Sequence, residues 1–142
     1  MTPSDLITHL EAQHWKPREL AGFIGTAGPL WTRREDAGWA YGLLCDARHL
    51  NPAGRVHGGA LVTLLDHAIS AVAWEACERT PCVTLQMDTH FQGAVREGQF
   101  IVARATVGHR TGSLVFMQGQ VSGDDGPVLT AQAILKVLAP GR

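Results

Sequence analysis

The sequence predicts an α+β domain in which an antiparallel sheet of five or six strands curls around one long central helix. Three observations carry this. Residues 58–77 form an almost unbroken apolar segment with a narrow polar stripe at helical spacing. From Pro81 onward the chain changes to period-2 patterning, in long runs at 82–91, 99–108, 113–122 and 127–138. The Gly-rich turns at 108–112 and 123–126 are short enough for hairpins, so the strands they join are antiparallel neighbours.

The remaining elements follow in order. At 142 residues the chain is read as one domain, 1–142, able to build a core without disulfides or metal. Pro3-Ser4-Asp5 opens a short helix to about residue 14, with Leu6, Ile7 and Leu10 at helical spacing. Residues 15–29 read as a Gly- and Pro-punctuated connection, so 1–28 comprise a helix and its link. Strand-like runs follow at 30–33 and 39–46, with the charged turn Arg34-Glu35-Asp36 between them. Glu75, Glu78 and Arg79 mark the exit of the central helix into water, and Pro81 prevents its continuation.

Composition narrows the function. Apolar residues make up 45% and charged residues 18%, with a formal net charge of −1. A nucleic-acid-binding domain of this size would show a basic excess. Cys45, Cys77 and Cys82 are odd in number and lack C-x-x-C spacing, which indicates neither a disulfide framework nor a zinc site. No run approaches the roughly 18 apolar residues of a membrane span, and no charged-then-apolar leader pattern opens the chain. A reduced, cytoplasmic protein without membrane attachment is expected.

The chemistry concentrates between Asn51 and Asp66. His57-Gly58-Gly59 stands at the helix N-terminus, where unpaired N–H groups and a partial positive charge suit a developing oxyanion. Thr63, Asp66, His67 and Ser70 form the polar stripe, flanked by Leu61, Leu64, Leu65, Ile69 and Val72. A solvated face would carry Lys, Glu and Arg, so this stripe is expected to line a cleft or a subunit interface. Gly58 and Asp66 lie eight residues, about 12 Å, apart along a helix. A base must reach within about 3 Å of its proton, so one helix cannot bring both to one carbonyl. Two antiparallel helices across a two-fold axis can, which predicts a homodimer with composite sites.

The pattern Asn51-x5-His57-Gly58-Gly59-x6-Asp66, with Thr84 on the following strand, resembles the hotdog-fold acyl-CoA thioesterases, specifically the PaaI-type (phenylacetate-pathway) branch. The resemblance implies hydrolysis of an acyl-CoA or aryl-acyl-CoA thioester, in a dimer or dimer of dimers, without metal or other cofactor. It implies that the Gly58 N–H polarises the carbonyl, Asn51 positions carbonyl or water, and His57 shapes the loop. Asp66 of the facing subunit would be general base or nucleophile, and Thr84 would assist the water. Gly59, Ser70, Trp74, Arg110 and Ser113 would border the substrate, with Arg110 toward the phosphates and Trp74 toward the acyl group; Arg104, Arg55 and Lys136 are weaker phosphate candidates. The chain departs from the family's commoner pattern at Gly93, where a proline is usual, and at Asp88 and His90.

Other readings fit less well. Gly54-Arg55-Val56-His57-Gly58-Gly59 lacks the Gly-Lys-Ser/Thr ending of a phosphate loop, and no Gly-x-Ser-x-Gly elbow occurs. Asp88-x-His90 and Asp66-His67 lack a third metal ligand at sensible spacing. His9, His14, His49 and His109 read as exposed or structural. Hotdog dehydratases carry a longer His-to-carboxylate separation and a Pro-Gly after the histidine. Within the same fold, a non-catalytic acyl-CoA sensor is the alternative and a structural subunit a weaker one; a retained Asp66 with Thr84 favours catalysis.

Overall fold

The computed structural model describes residues 1–138, so the last four residues of the domain assigned above lie outside the described part. Helix α1 (Pro3–Ala12) leads into strand β1 (Lys16–Arg18), helix α2 (Phe23–Ala27), and strands β2 (Leu30–Glu35) and β3 (Gly38–Leu44). The central helix α3 (Gly58–Ala76) is followed by β4 (Cys82–Phe91), β5 (Phe100–Arg110), β6 (Leu114–Gly123) and β7 (Gly126–Val137). All seven strands belong to one antiparallel sheet in the order β1-β2-β3-β5-β6-β7-β4, one or two more than expected.

The stretch read as a plain connection holds β1 and α2. β1 is Lys-Pro-Arg, fully exposed, and exists only because β2 offers it a ladder. The turn after β2 also falls later than expected. Glu35 pairs with Gly38, leaving Asp36-Ala37 as a two-residue hairpin loop, and Gly38 takes the positive φ of 129°.

Alternation along the strands divides the sheet into two faces. Tyr41, Leu43, Ile101, Ala103, Val115, Met117, Val121, Leu129 and Leu135 point to α3, whose Leu61, Leu64, Leu65, Ala68, Ile69 and Ala73 are buried against them. Gly119 lets the helix sit close: a Cβ there would stand 2.8 Å from Leu65 Cδ1. The opposite face at the β2–β3–β5 end carries a second cluster of Trp31, Ala40, Phe100 and Val102, covered by Leu10 and Trp15. Thr2 and Asp5 form a reciprocal capping box that starts α1 over this cluster.

Simple alternation is broken in three strand pairs, and the break in β4 bears on the site. A bulge skips Leu85 in the β4–β7 register. A strict two-residue count along β4 would put Thr84 on the face opposite Met87 and Phe91. The bulge instead turns Cys82, Thr84, Met87 and Phe91 toward α3, and Gln86, Asp88 and His90 away from it.

Candidate active site

The loop before α3 is built by its own polar groups. A 3₁₀ turn (Ala47–His49) buries the His49 ring, whose Nδ1 accepts from the Asp46 N–H at 2.9 Å while Nε2 lies 2.7 Å from the Ala27 carbonyl. The His49 carbonyl accepts from the His57 N–H at 2.7 Å, which sets the entry to the helix. Asn51 Oδ1 accepts from the Ala53 and Arg55 N–H groups at 3.0 and 3.1 Å, an Asx-type brace of the loop. Only the amide NH₂ of Asn51 is then left to act outside the loop.

His57 is the N-cap of α3. Its Nδ1 accepts from the Gly59 N–H at 2.8 Å, which places the proton of the neutral ring on Nε2. This removes Gly59 as a donor. Among the described residues nothing accepts from the Gly58 N–H, which remains the free donor at the positive end of a 19-residue helix.

Eight residues along, half-buried Asp66 accepts at Oδ1 from the Thr84 hydroxyl at 2.9 Å. The structure thus brings together the two residues expected to handle water, from different elements of one chain. His67, next on the helix, packs edge-on against Tyr41 with centroids 5.6 Å apart. Burial pushes its imidazole below the ordinary value, against the opposing pull of Asp66. Thr63 turns its hydroxyl back to the Gly59 carbonyl at 2.8 Å, so it serves the helix. Ser70 is half-buried on the stripe beyond Asp66, and Trp74 is 39% exposed with the Arg79 guanidinium 5.4 Å from its ring centroid.

The expected phosphate-binding cations divide. Arg110 Nη1 donates to the Ala76 carbonyl at 2.8 Å, where it also neutralises the negative end of α3. Ser113 lies exposed in the adjoining turn, and Arg55 and Lys136 are exposed. Arg104 is committed elsewhere: its two N–H groups grip the Glu35 carboxylate at 2.8 Å each, too strong a pairing for a free phosphate hook. Asp88 and His90 face away from α3, on the opposite side of the sheet from Asp66. His9, His14 and His109 are exposed, and buried His49 is structural.

Sequence reasoning missed Phe91. Its Cε1 and Cζ atoms lie 3.0 and 3.3 Å from where a Cβ on Gly58 would stand, and the side chain is 55% exposed. Its place at the end of an apolar strand run offered only a generic core signal.

A long helix cradled by a curved antiparallel sheet, with a free N–H at the helix start, defines a hotdog-fold domain. Residues 53–130, more than half of the chain, match the family model described as "Thioesterase superfamily", and the chain belongs to that family. Solved structures agree on the fold. An Asn-to-Asp variant of the phenylacetic acid degradation protein PaaI from Thermus thermophilus is 23% identical, covers 82% of this chain and 98% of its own, and superposes with a TM-score of 0.70. Zebra fish thioesterase superfamily member 2 is 17% identical, with 97% and 99% coverage and a TM-score of 0.74. A hypothetical thioesterase from Streptococcus pneumoniae with coenzyme A is 20% identical, with 71% and 81% coverage and a TM-score of 0.63. No curated protein matches the sequence. Among the described residues no helix is long and apolar enough to cross a membrane.

Proposed function

We propose that this protein hydrolyses acyl-CoA thioesters to free acid and CoA at two composite sites of a homodimer. The observation that carries the reading is the pairing of a free Gly58 N–H at a helix start with a half-buried Asp66 held by Thr84. The thioester carbonyl oxygen accepts from Gly58, so the charge that develops on attack meets the positive end of α3; a donor of this kind contributes roughly 10²–10³ in rate. Asp66 of the partner subunit removes a proton from water, or attacks the carbonyl itself. Thr84 occupies Oδ1 and leaves the other oxygen for that task. Collapse of the tetrahedral intermediate expels the CoA thiolate, which takes up a proton. Water, a base and an oxyanion donor complete the reaction, so it draws on no cofactor.

The dimer is supported by β4. Among the described residues this ten-residue strand closes the sheet with only β7 beside it, and Val83, Leu85 and Phe91 are 42%, 57% and 55% exposed. An unprotected apolar edge is a template for a second strand. Two-fold pairing of β4 with itself would continue the sheet and lay two α3 helices side by side, antiparallel. Pairing of two such dimers into a tetramer is the larger assembly in this reading. In the site, Gly59, Ser70 and Trp74 border the substrate, and Arg110 with Ser113 receives the CoA phosphates using the N–H groups that Ala76 leaves free. The CoA-bound Streptococcus neighbour supports this substrate class. Related proteins have been crystallised with an aspartate, a threonine or an asparagine replaced, the residue types of Asp66, Thr84 and Asn51. Three free cysteines fit a reducing compartment, so we place the reaction in the cytoplasm.

A panel of aryl, short-chain and long-chain acyl-CoA esters, with CoA thiol release as readout, tests the activity. Turnover of at least one class supports the reading; tight CoA binding without turnover would make the protein a sensor instead. Single-turnover hydrolysis in ¹⁸O-water probes the role of Asp66: label in the Asp66 carboxylate marks a nucleophile whose anhydride water opens at the aspartyl carbon, and hydroxylamine trapping detects an anhydride that water opens at the acyl carbon; label in the acid alone with nothing trapped marks a base.

A further inference from the structure

Phe91 stands where an ordinary core aromatic does not. Its ring lies against Gly58, close enough that a methyl group there would crowd it at 3.0 Å, yet 55% of the residue remains exposed. The β4 bulge at Leu85 is what turns it to this side of the sheet, and its register partner Leu129 is fully buried, which anchors the strand beneath it. The neighbouring Gly59 N–H is occupied by His57, so the ring stands beside the residue that carries the free donor at the helix start.

We propose that Phe91 is a positioning residue of the carbonyl site, resting on the thioesterase reading above: its ring shields the Gly58 N–H from water on one side and leaves the substrate carbonyl a single approach. Water that competes for the donor weakens its bond to an oxyanion, and an apolar wall strengthens that bond by lowering the local dielectric. The same contact explains why position 58 is glycine.

The test compares Phe91→Leu, Phe91→Ser, Phe91→Ala, Gly58→Ala and the double variant Phe91→Ala/Gly58→Ala. Phe91→Ser should lower kcat about tenfold with KM little changed, and Phe91→Leu, which keeps an apolar wall, should recover to within about threefold of the parent. Gly58→Ala should be strongly impaired alone and far less so once Phe91 is alanine. Amide exchange of Gly58 supplies a readout independent of turnover: it should quicken about tenfold in Phe91→Ser. A kcat for Phe91→Ser equal to the parent's, unchanged Gly58 exchange, or a Gly58→Ala penalty equal in both backgrounds would overturn the proposal. If the parent hydrolyses no thioester while Gly58 exchange still quickens, the thioesterase reading fails and the shielding stands.

Discussion

The Asp66–Thr84 pair permits a cycle in which stability and catalysis separate. Asp66→Asn keeps an Oδ1 that can accept from the Thr84 hydroxyl, so the 2.9 Å bond and the fold survive. What is lost is the basic oxygen. Removal of a positioned base lowers rate by roughly 10²–10⁴, or about 3–5 kcal/mol of transition-state stabilisation. Thr84→Val is nearly isosteric and removes one hydrogen bond to a charged group, worth about 1.5–3 kcal/mol when fully expressed. That bounds its effect on kcat at roughly 10–100-fold. Because Thr84 touches the substrate's water only by way of the carboxylate, the two losses should not add. In the Asp66→Asn background Thr84→Val should cost less than about threefold. The assay is release of CoA thiol under saturating substrate, with urea unfolding run in parallel. Retention of more than about a tenth of kcat in Asp66→Asn would refute the base assignment. Equal Thr84→Val losses in both backgrounds would refute the claim that Thr84 acts through Asp66.

Other consequences concern the frame. Arg104, with Arg33 beside it, pulls the Glu35 carboxyl from 4.5 to about 2, against partial burial. A depressed carboxylate stabilises the fold above pH 4.5, and that stability fades as pH falls toward 2. Fully expressed, the drop is about 3 kcal/mol; solvent reaching the pair reduces it to about 1 kcal/mol. Urea midpoints should therefore separate parent from Glu35→Gln at pH 7 and converge near the acid end, and a gap unchanged down to the acid end would contradict the ion-pair account. Gly119→Ala drives a methyl to 2.8 Å from Leu65 and 3.1 Å from Ile69, so thermal unfolding should show a loss of about 1–3 kcal/mol; an unchanged Tm would mean that α3 can lift off the sheet freely. His57→Ala removes the cap of α3 and should lower stability by about 1 kcal/mol in urea unfolding, whereas His57→Asn, itself a good N-cap, should restore it.

The parts of this fold legible in the sequence are those where one periodicity persists. The apolar helix and the hairpins after Pro81 announce themselves because long runs keep one face buried. Short elements held by neighbours do not: Lys16-Pro17-Arg18 has no strand pattern of its own, and Phe23–Ala27 is too brief for helical spacing to show. The Leu85 bulge reverses face assignments downstream, and a strict two-residue count cannot detect it. Of the candidate site, Asn51, His57, Gly58 and Asp66 stand out in the sequence through their spacing. That Gly59 donates to His57, Arg104 belongs to Glu35 and Phe91 covers Gly58 depends on contacts between distant segments, which no local pattern records.

Mixed-dimer complementation tests the composite site most directly. Asn51→Asp retains the loop-bracing oxygen but loses the outward amide, and Asp66→Asn loses the base; each variant alone should be nearly inactive. If one subunit's helix start works with the other's carboxylate, a heterodimer of the two carries one intact site and regains about half the parent's turnover per dimer. Heterodimers as inactive as either variant would place Asn51 and Asp66 of the same chain in each site and contradict the account.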